Sequence, residues 1–573
     1  MSGKQVMKQL LRFLFQFKLY LLLALACAIL SVALNVYAPL LIGDILDAIT
    51  SKPLSTTFQL LFYLVVVYLL YSLFQWGMMY FSNKIAFSSS CVLRKQLYEK
   101  LSHLPISFYD TNPRGDLISR FVNDIDYISD GFLQGLSTMM SGVTTIVLAI
   151  VFMININWIM SIIVILSAPF TYIVASFITK RSQQYFRKNA NALGSLNGFS
   201  EEMLSGMKTI KAYHYEESAN HTFQEMNQTL YEAGVKSQFY GSLANPSTRF
   251  VTNFTYALTG AAGAFLALQS MITIGNISSF LMYANLFSKP FTEITGVMTQ
   301  LQTAMASARR IFTILDMEEE HDSGTTFFTP TKGSIEFSHV SFGYDKHKLL
   351  MKDINLCIPA GEKVAIVGKT GAGKTTLVNL LLRFYEINQG HIYVDGVDIE
   401  QMSKDDLRRS FGVVLQDTYL FEGTIRDNIA YGKPEASDEE IIAAAKKSGA
   451  HEFIRRFTQG YDTVLHTNSN HLSSGQKQLL SLTRVLLMNP KILILDEATS
   501  NMDTMSEQHV NQAMELLMEG KTSFVIAHRL STILDADKIL VMEHGDIIET
   551  GNHEELMKKQ GAYYTLFNSQ FTS

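Results

Sequence analysis

Uncharged residues run in four long blocks through the first half of the chain: 19–43, 53–83, 131–179 and 250–288 hold no Asp, Glu, Lys, Arg or His. A helix needs about 20 mostly apolar residues to cross the hydrocarbon core of a bilayer. The first two blocks fit one crossing each. The third and fourth fit two each, with turns near Asn155–Asn157 and Ser270–Gly275. The pattern predicts six spans, near 19–43, 58–83, 132–154, 158–179, 250–270 and 276–298. Buried helices of a soluble protein are a poor alternative, because uncharged runs this long are hard to place in a soluble core.

Between the blocks, segments 84–104, 114–130 and 180–240 hold few Pro or Gly and many good helix formers. They predict spans that continue as helices well beyond the membrane. Pro105 and Pro113 bracket a short break, "PISFYDTNP", that predicts a small crosswise element at a tip. Past residue 315 the periodicity changes. An acidic and Gly/Thr/Pro-rich stretch, 316–333, reads as a linker. Short β-branched runs such as "KVAIVG" and "KILILD" then alternate with helical patterns, which predicts a mainly parallel sheet with helices around it. The expected organisation is an all-α six-helix transmembrane domain over 1–315, a linker over 316–333 and an α/β domain over 334–573.

Charge adds orientation. Lys4, Lys8 and Arg12 open the chain, 84–130 carries Lys84, Arg94, Lys95, Lys100, Arg114 and Arg120, and 180–249 is basic too. The short connections on the other side hold only Lys52. By the positive-inside rule both termini and both long loops are expected in the cytoplasm, in a multi-pass protein of the cytoplasmic membrane. The charged N-terminal segment lacks a cleavage site and does not read as a signal peptide. A net charge of -5 gives no reason to expect nucleic acid as a partner. Cys27, Cys91 and Cys357 are widely separated and show no metal-ligand spacing.

Chemistry enters in the second half. "KVAIVGKTGAGKTTLVNLLL" contains G-x-x-x-x-G-K-T at Gly368–Thr375, after a strand pattern and before a helix pattern, the context a phosphate-binding loop requires. Gly368, Lys369, Thr370, Gly371, Ala372, Gly373, Lys374, Thr375 and Thr376 form the expected cradle for ATP. Backbone N–H groups and the helix N-terminus face the phosphates. Lys374 can reach the β- and γ-phosphates, and the Thr375 hydroxyl can ligate Mg2+. "KILILDEATS" places Asp496 at the end of an apolar strand, to hold Mg2+ through water, with Glu497 next to polarise the attacking water. A third feature is "NSNHLSSGQKQLL" (468–480), a Ser-Ser-Gly turn directly before a helical run and suited to holding an anion.

"LSSGQKQLLSLTRVLL", "PKILILDEATSNMD" and "SFVIAHRLSTI" together resemble the nucleotide-binding domain of ATP-binding cassette transporters, over essentially all of 333–573. "FYDTNPRGDLISRFVNDID" (108–126) and "SEEMLSGMKTIKAYHYEE" (200–217) resemble the first and second intracellular loops of the exporter branch. The resemblance implies that Tyr344 stacks on adenine and that Gln416 senses Mg2+ or the attacking water. It also implies that Asp503 lies across a dimer seam and that His528 contacts the γ-phosphate. Ser473, Ser474, Gly475 and Gln476 would cap an ATP held by the opposing subunit.

The family's turn reads LSGGQ and here reads LSSGQ. A serine adds bulk and restricts φ where glycine does not, so the cap at Ser474 is expected to be weakened; a neutral change stays open. One chain carries one cassette, so the working unit is expected to be a dimer, with a non-identical second half-transporter bearing an intact LSGGQ favoured. The expected activity is ATP-driven export of hydrophobic or amphipathic compounds, as in multidrug efflux. Lipid or peptide export, and a mainly regulatory ATP-binding subunit, are the alternatives. Aromatic and Met residues (Tyr68, Tyr71, Phe74, Trp76, Met78, Met79, Phe254, Tyr256, Phe280, Met282 and Tyr283) suit a wall for such compounds, and equally a surface toward membrane lipids. Lys289 and Glu293, four apart, are expected to pair with each other.

Overall fold

The computed structural model describes residues 3–51, 53–322, 324, 331–345, 348–415, 418–466, 472–496, 504–527 and 533–571. They form two compact units, Met1–His103 with Pro113–Met317, and Leu104–Asn112 with Glu318–Ser573.

The first unit is helical. Its long elements are Lys18–Ser51, Leu54–Ser102, Ile125–Ile156, Trp158–Ser205, Glu216–Ser242, Ala244–Leu268 and Ile274–Leu315. Sequence chemistry sets the breaks. Asn157 leaves the helical region and its side chain accepts from Ile159 N and Met160 N, so it ends one long helix and caps the next. Thr273 caps the Ile274–Leu315 helix in the same way, through Asn276 N. Five helical runs are long and apolar enough to cross a membrane: Gly3–Ile49, Leu54–Ser102, Arg114–Ile156, Trp158–Ser205 and Glu216–Leu268. Ile274–Leu315, which holds the sixth predicted span, has the length at 42 residues but is not among the five. Asn276, Asn285, Lys289 and Glu293 dilute its apolar character.

Packing in this unit follows membrane rules. At Thr144, Thr145, Thr255 and Thr259 the hydroxyl turns back onto the carbonyl four residues earlier, so these side chains carry no orphan donor into an apolar setting. Pro39 interrupts the Lys18–Ser51 helix, and hydroxyls from Ile274–Leu315 take up carbonyls around it: Tyr283 donates to Val36 O at 2.6 Å and Ser279 to Pro39 O at 2.7 Å. Small residues allow close approach elsewhere. A Cβ at Gly135 would lie 2.7 Å from Leu301 Cδ2, so the two helices meet there because the side chain is missing. Met78, Phe280 and Tyr283, expected as possible wall residues, are buried at no more than 2% exposure and fill the core instead. Tyr68, Trp76, Met79, Phe254, Tyr256 and Met282 remain exposed.

One charge is buried deep in this unit. Asp124, 3% exposed, ends a π-helical turn over Arg120–Asp124. Its carboxylate accepts a two-pronged bond from Arg310, with Arg310 Nε at 2.7 Å from Oδ2 and Nη2 on Oδ1, and a third from Ser307 at 3.0 Å. A buried carboxylate needs such partners, because removing either side strands a charge.

The second unit is a layered α/β structure. Its main sheet runs in the order 546–551, 538–543, 363–367, 522–526, 492–496, 411–414. The four central neighbour pairings are parallel and the 546–551 edge strand is antiparallel. The central strands are buried on both faces, which explains their continuous apolar runs. A second, antiparallel sheet orders 351–358, 335–342, 389–394 and 397–398. The short helix Ile106–Thr111, from the "PISFYDTNP" break, belongs to this unit.

Candidate nucleotide-binding site

Parallel strands deliver their C-terminal ends to one edge of the sheet, where α/β proteins bind ligands. Ile526 lies opposite Ile366 on one neighbour and Asp496 on the other. One strand further out, Val414 lies opposite Leu495. The phosphate loop begins two residues past Ile366, and Asp496 stands at the same edge. Gln416, Glu497 and His528 follow these strand ends within two residues in sequence, but like Asp503 they lie outside the described residues.

The loop needs its glycines. Gly368 has φ 155° and a Cβ there would strike the carbonyl of Met542; Gly373 has φ 101° and begins the Lys374–Leu381 helix. Lys374 folds over the loop and donates to Gly368 O at 2.6 Å and Lys369 O at 3.1 Å. Burial pushes its pKa below that of an exposed lysine, and the Asp496 carboxylate works in the opposite direction. The Lys374 side chain thus draws the Lys369, Thr370, Gly371 and Ala372 backbone into a ring suited to a polyphosphate. Thr375 opens the helix beside it, and Thr376 accepts or donates a 3.0 Å bond with the Tyr344 hydroxyl.

Tyr344 is 56% exposed and sits beside the loop, as a stacking platform must. Its ring meets Tyr385 edge-on at 4.9 Å, and Phe342 packs edge-on against both. The Tyr385 hydroxyl in turn donates to Asp110 on the Ile106–Thr111 helix. Burial, with the Asp110 charge, raises the Tyr385 pKa, so the phenol stays a donor. Sequence reasoning picked out Tyr344 and the "PISFYDTNP" break that holds Asp110 but not Tyr385, which lies 275 positions from Asp110 and carries no motif of its own.

The LSSGQ turn is ordered as a helix start. Ser473 caps Ser474–Met488 through a capping box with Gln476: Gln476 N donates to Ser473 Oγ at 3.3 Å and Ser473 N to Gln476 Oε1 at 3.0 Å. The N–H groups of Ser474 and Gly475 make no hydrogen bond among the described residues, and the Ser473 hydroxyl keeps its proton to donate. Ser474 is the first helical residue, exposed and at negative φ. The expected φ restriction is therefore absent, because a helical N-terminus suits serine as well as glycine. What the substitution adds is a CH2OH group beside those N–H donors.

Comparison with known proteins gives a consistent result. The model of the ABC transporter transmembrane region matches residues 21–291, and that of the ABC transporter matches 351–500. The chain is 39% identical over 571 residues to an uncharacterized ABC transporter ATP-binding protein, YfiC, of Bacillus subtilis (strain 168), covering 99% of this chain and 94% of the relative. It is 40% identical over 502 residues to a fatty acid ABC transporter ATP-binding/permease protein of Mycobacterium bovis, covering 88% and 80%. A Staphylococcus aureus (strain NCTC 8325 / PS 47) protein, whose name assigns it provisionally to multidrug export, is 34% identical over 584 residues, covering 99% and 100%.

Proposed function

The chain belongs to the ATP-binding cassette transporter family, as a membrane-embedded exporter whose ATPase is coupled to transport, and from that premise we propose that it exports hydrophobic or amphipathic compounds out of the cytoplasm or inner leaflet. The observation that carries the reading is one chain holding both a phosphate loop at a parallel-sheet edge and five helical runs able to cross a membrane. The range of cargo in the relatives' names, fatty acid and multidrug, supports amphipathic cargo as a class. Six spans, with both termini and the α/β domain in the cytoplasm, accord with the basic loops.

The site residues divide the work. Lys374 leaves the Gly368 and Lys369 carbonyls for the phosphates, and the loop N–H groups take the remaining oxygens. Tyr344 stacks on the adenine. Thr375 and Asp496 offer hard oxygen donors of the type Mg2+ takes, and they would hold that ion with Gln416. When bound, it supplies charge neutralisation on the phosphate oxygens. Glu497 serves as general base, His528 orients it and the γ-phosphate, and Asp503 lies on the dimer seam. The Ser473 hydroxyl with the Ser474 and Gly475 N–H groups caps the nucleotide of the other subunit, and Gln476 holds the turn.

The altered cap favours a heterodimer. Two identical copies would place the bulkier Ser474 over both nucleotides, whereas a partner with LSGGQ completes this chain's own catalytic set. Expression of the chain alone tests this: a stable dimer with full substrate-stimulated ATPase would reject the asymmetric assembly. The expected result is hydrolysis only with a second half-transporter, and a several-fold faster weak site in Ser474→Gly.

Coupling supplies a further expectation. Tyr385→Phe keeps the ring against Tyr344 and removes the bond to Asp110. Transport per ATP hydrolysed should fall several-fold while ATPase stays measurable, and Asp110→Asn should behave alike. An unchanged ratio, measured in proteoliposomes, would remove this contact from the mechanism.

A further inference from the structure

After Met317 the chain enters the second unit, and there the linker is pinned. Asp322 accepts Lys404 N on both carboxylate oxygens at 3.2 Å, at the first residue of the Lys404–Arg409 helix. A Cβ on Gly324 would strike the carbonyl of Met402, so the linker backbone lies directly on that turn. Glu320 is held hardest. Arg408 donates to both of its oxygens, at 2.6 and 3.1 Å, and Lys404 Nζ lies 3.2 Å away. Glu320, Arg408 and Lys404 are 19%, 29% and 8% exposed, so this is no ordinary surface pair. Burial acts to raise the Glu320 pKa, but the bonds from Arg408 and Lys404 outweigh it and hold the carboxyl below its ordinary value.

The same two cations grip 382–386. Arg408 Nε donates to Leu382 O at 3.2 Å and Nη2 to Arg383 O at 3.1 Å, and the guanidinium lies over the Phe384 ring at 5.1 Å. Lys404 Nζ is 2.8 Å from Glu386 Oε1, and Arg383 Nε is 3.1 Å from Oε2. The remaining residue, Tyr385, donates to Asp110. The linker and the Ile106–Thr111 helix thus meet on one short segment. Arg383 sits there at φ 49°, where a residue with a Cβ is strained, and its buried guanidinium offsets the strain through Ile399 O and Glu386.

The nucleotide site reaches this segment by two routes. The Lys374–Leu381 helix begins at the phosphate loop and ends in it, with Arg383 N and Phe384 N bonded back to Leu380 O and Asn379 O. Tyr344 meets Tyr385 edge-on. Resting on the reading of this site as one for ATP, we propose that 382–386 is a joint through which bound nucleotide sets the hold on the linker. Glu320 is then a positioning residue, acting through Arg408 and Lys404, and the linker is a second coupling element beside the Ile106–Thr111 helix. A ligand that orders one side of a shared segment lowers the cost of ordering the other. The effect is reciprocal: linker docking tightens nucleotide binding by the same factor.

The test follows amide hydrogen exchange in the full chain, in the dimer it forms, in phosphatidylcholine nanodiscs with and without saturating AMP-PNP and Mg2+. Protection of 374–381 reports nucleotide binding, and peptides 318–322 and 403–409 report the linker. AMP-PNP should slow exchange of both linker peptides about fivefold or more. Glu320→Gln should abolish that ratio, keep 374–381 protected at saturation, and weaken AMP-PNP binding by the factor lost. A clasp that is structural alone would exchange faster in the variant with and without nucleotide alike, and leave the affinity unchanged. If Glu320→Gln fails to assemble, Arg408→Lys, which gives up the forked bond, should show the same split. Linker exchange indifferent to AMP-PNP while 374–381 is protected, or a ratio unchanged in the variant, would overturn the joint and leave ATP binding standing. If AMP-PNP leaves 374–381 unprotected, the joint and the nucleotide reading both fail.

Discussion

Lys374→Ala should abolish productive nucleotide binding at this chain's own site. Its ammonium is the charge that the loop itself holds in place, through the carbonyls of Gly368 and Lys369. Burial has already lowered its pKa, so part of the desolvation that ligand binding demands is met before a nucleotide arrives. A polyphosphate entering the ring exchanges those carbonyls for its own oxygens. Alanine removes that exchange twice over: the phosphate charge is uncompensated, and two loop carbonyls lose their donor. Charge-assisted hydrogen bonds contribute about 1.5–3 kcal/mol each, so loss of two corresponds to a fall of roughly a hundredfold or more in affinity. Titration of the purified complex with a fluorescent ATP analogue checks this, and hydrolysis retained at this site would contradict it.

Glu497→Gln should lower the ATPase of the assembled complex by roughly 10²-fold or more, in line with removal of a general base. The residue immediately before it, Asp496, is fixed by register: it pairs across 522–526 at the level of Ile366, two residues before the phosphate loop. Glutamine keeps the volume and a carbonyl oxygen but cannot take a proton. Nucleotide binding should therefore survive while turnover fails, the opposite split from Lys374→Ala. Near-normal turnover would assign this chain to the regulatory class.

The phosphate loop was legible because its determinants are local: three glycines at positive φ and a lysine that bonds five and six residues back. Long uncharged blocks and the caps at Asn157 and Thr273 are local as well. Contacts set by tertiary packing were not legible. Tyr385 reaches Asp110 and Arg310 reaches Asp124 across 275 and 186 positions, and no spacing rule joins either pair. Ser474 shows the other limit. Its chemistry was visible, but whether φ matters depends on whether the turn is a loop or the first turn of a helix, and it is the latter. The polar dilution of the last long helix is local too, since Asn285, Lys289 and Glu293 recur at helical spacing.

The Asp124–Arg310 clamp has a mechanical meaning. The chain leaves the helical unit for the second unit and returns through Leu104–Asn112, and it leaves for good after Met317. Arg310 lies seven residues before the second exit at Met317, and Asp124 eleven residues beyond the re-entry point at Pro113. Their bond, buried on the Asp124 side, therefore ties together the two segments that carry these tethers, like a strut between two cables. Displacing either segment alone would have to break that bond and leave the Asp124 carboxylate buried without its cation, so the two segments are expected to shift together.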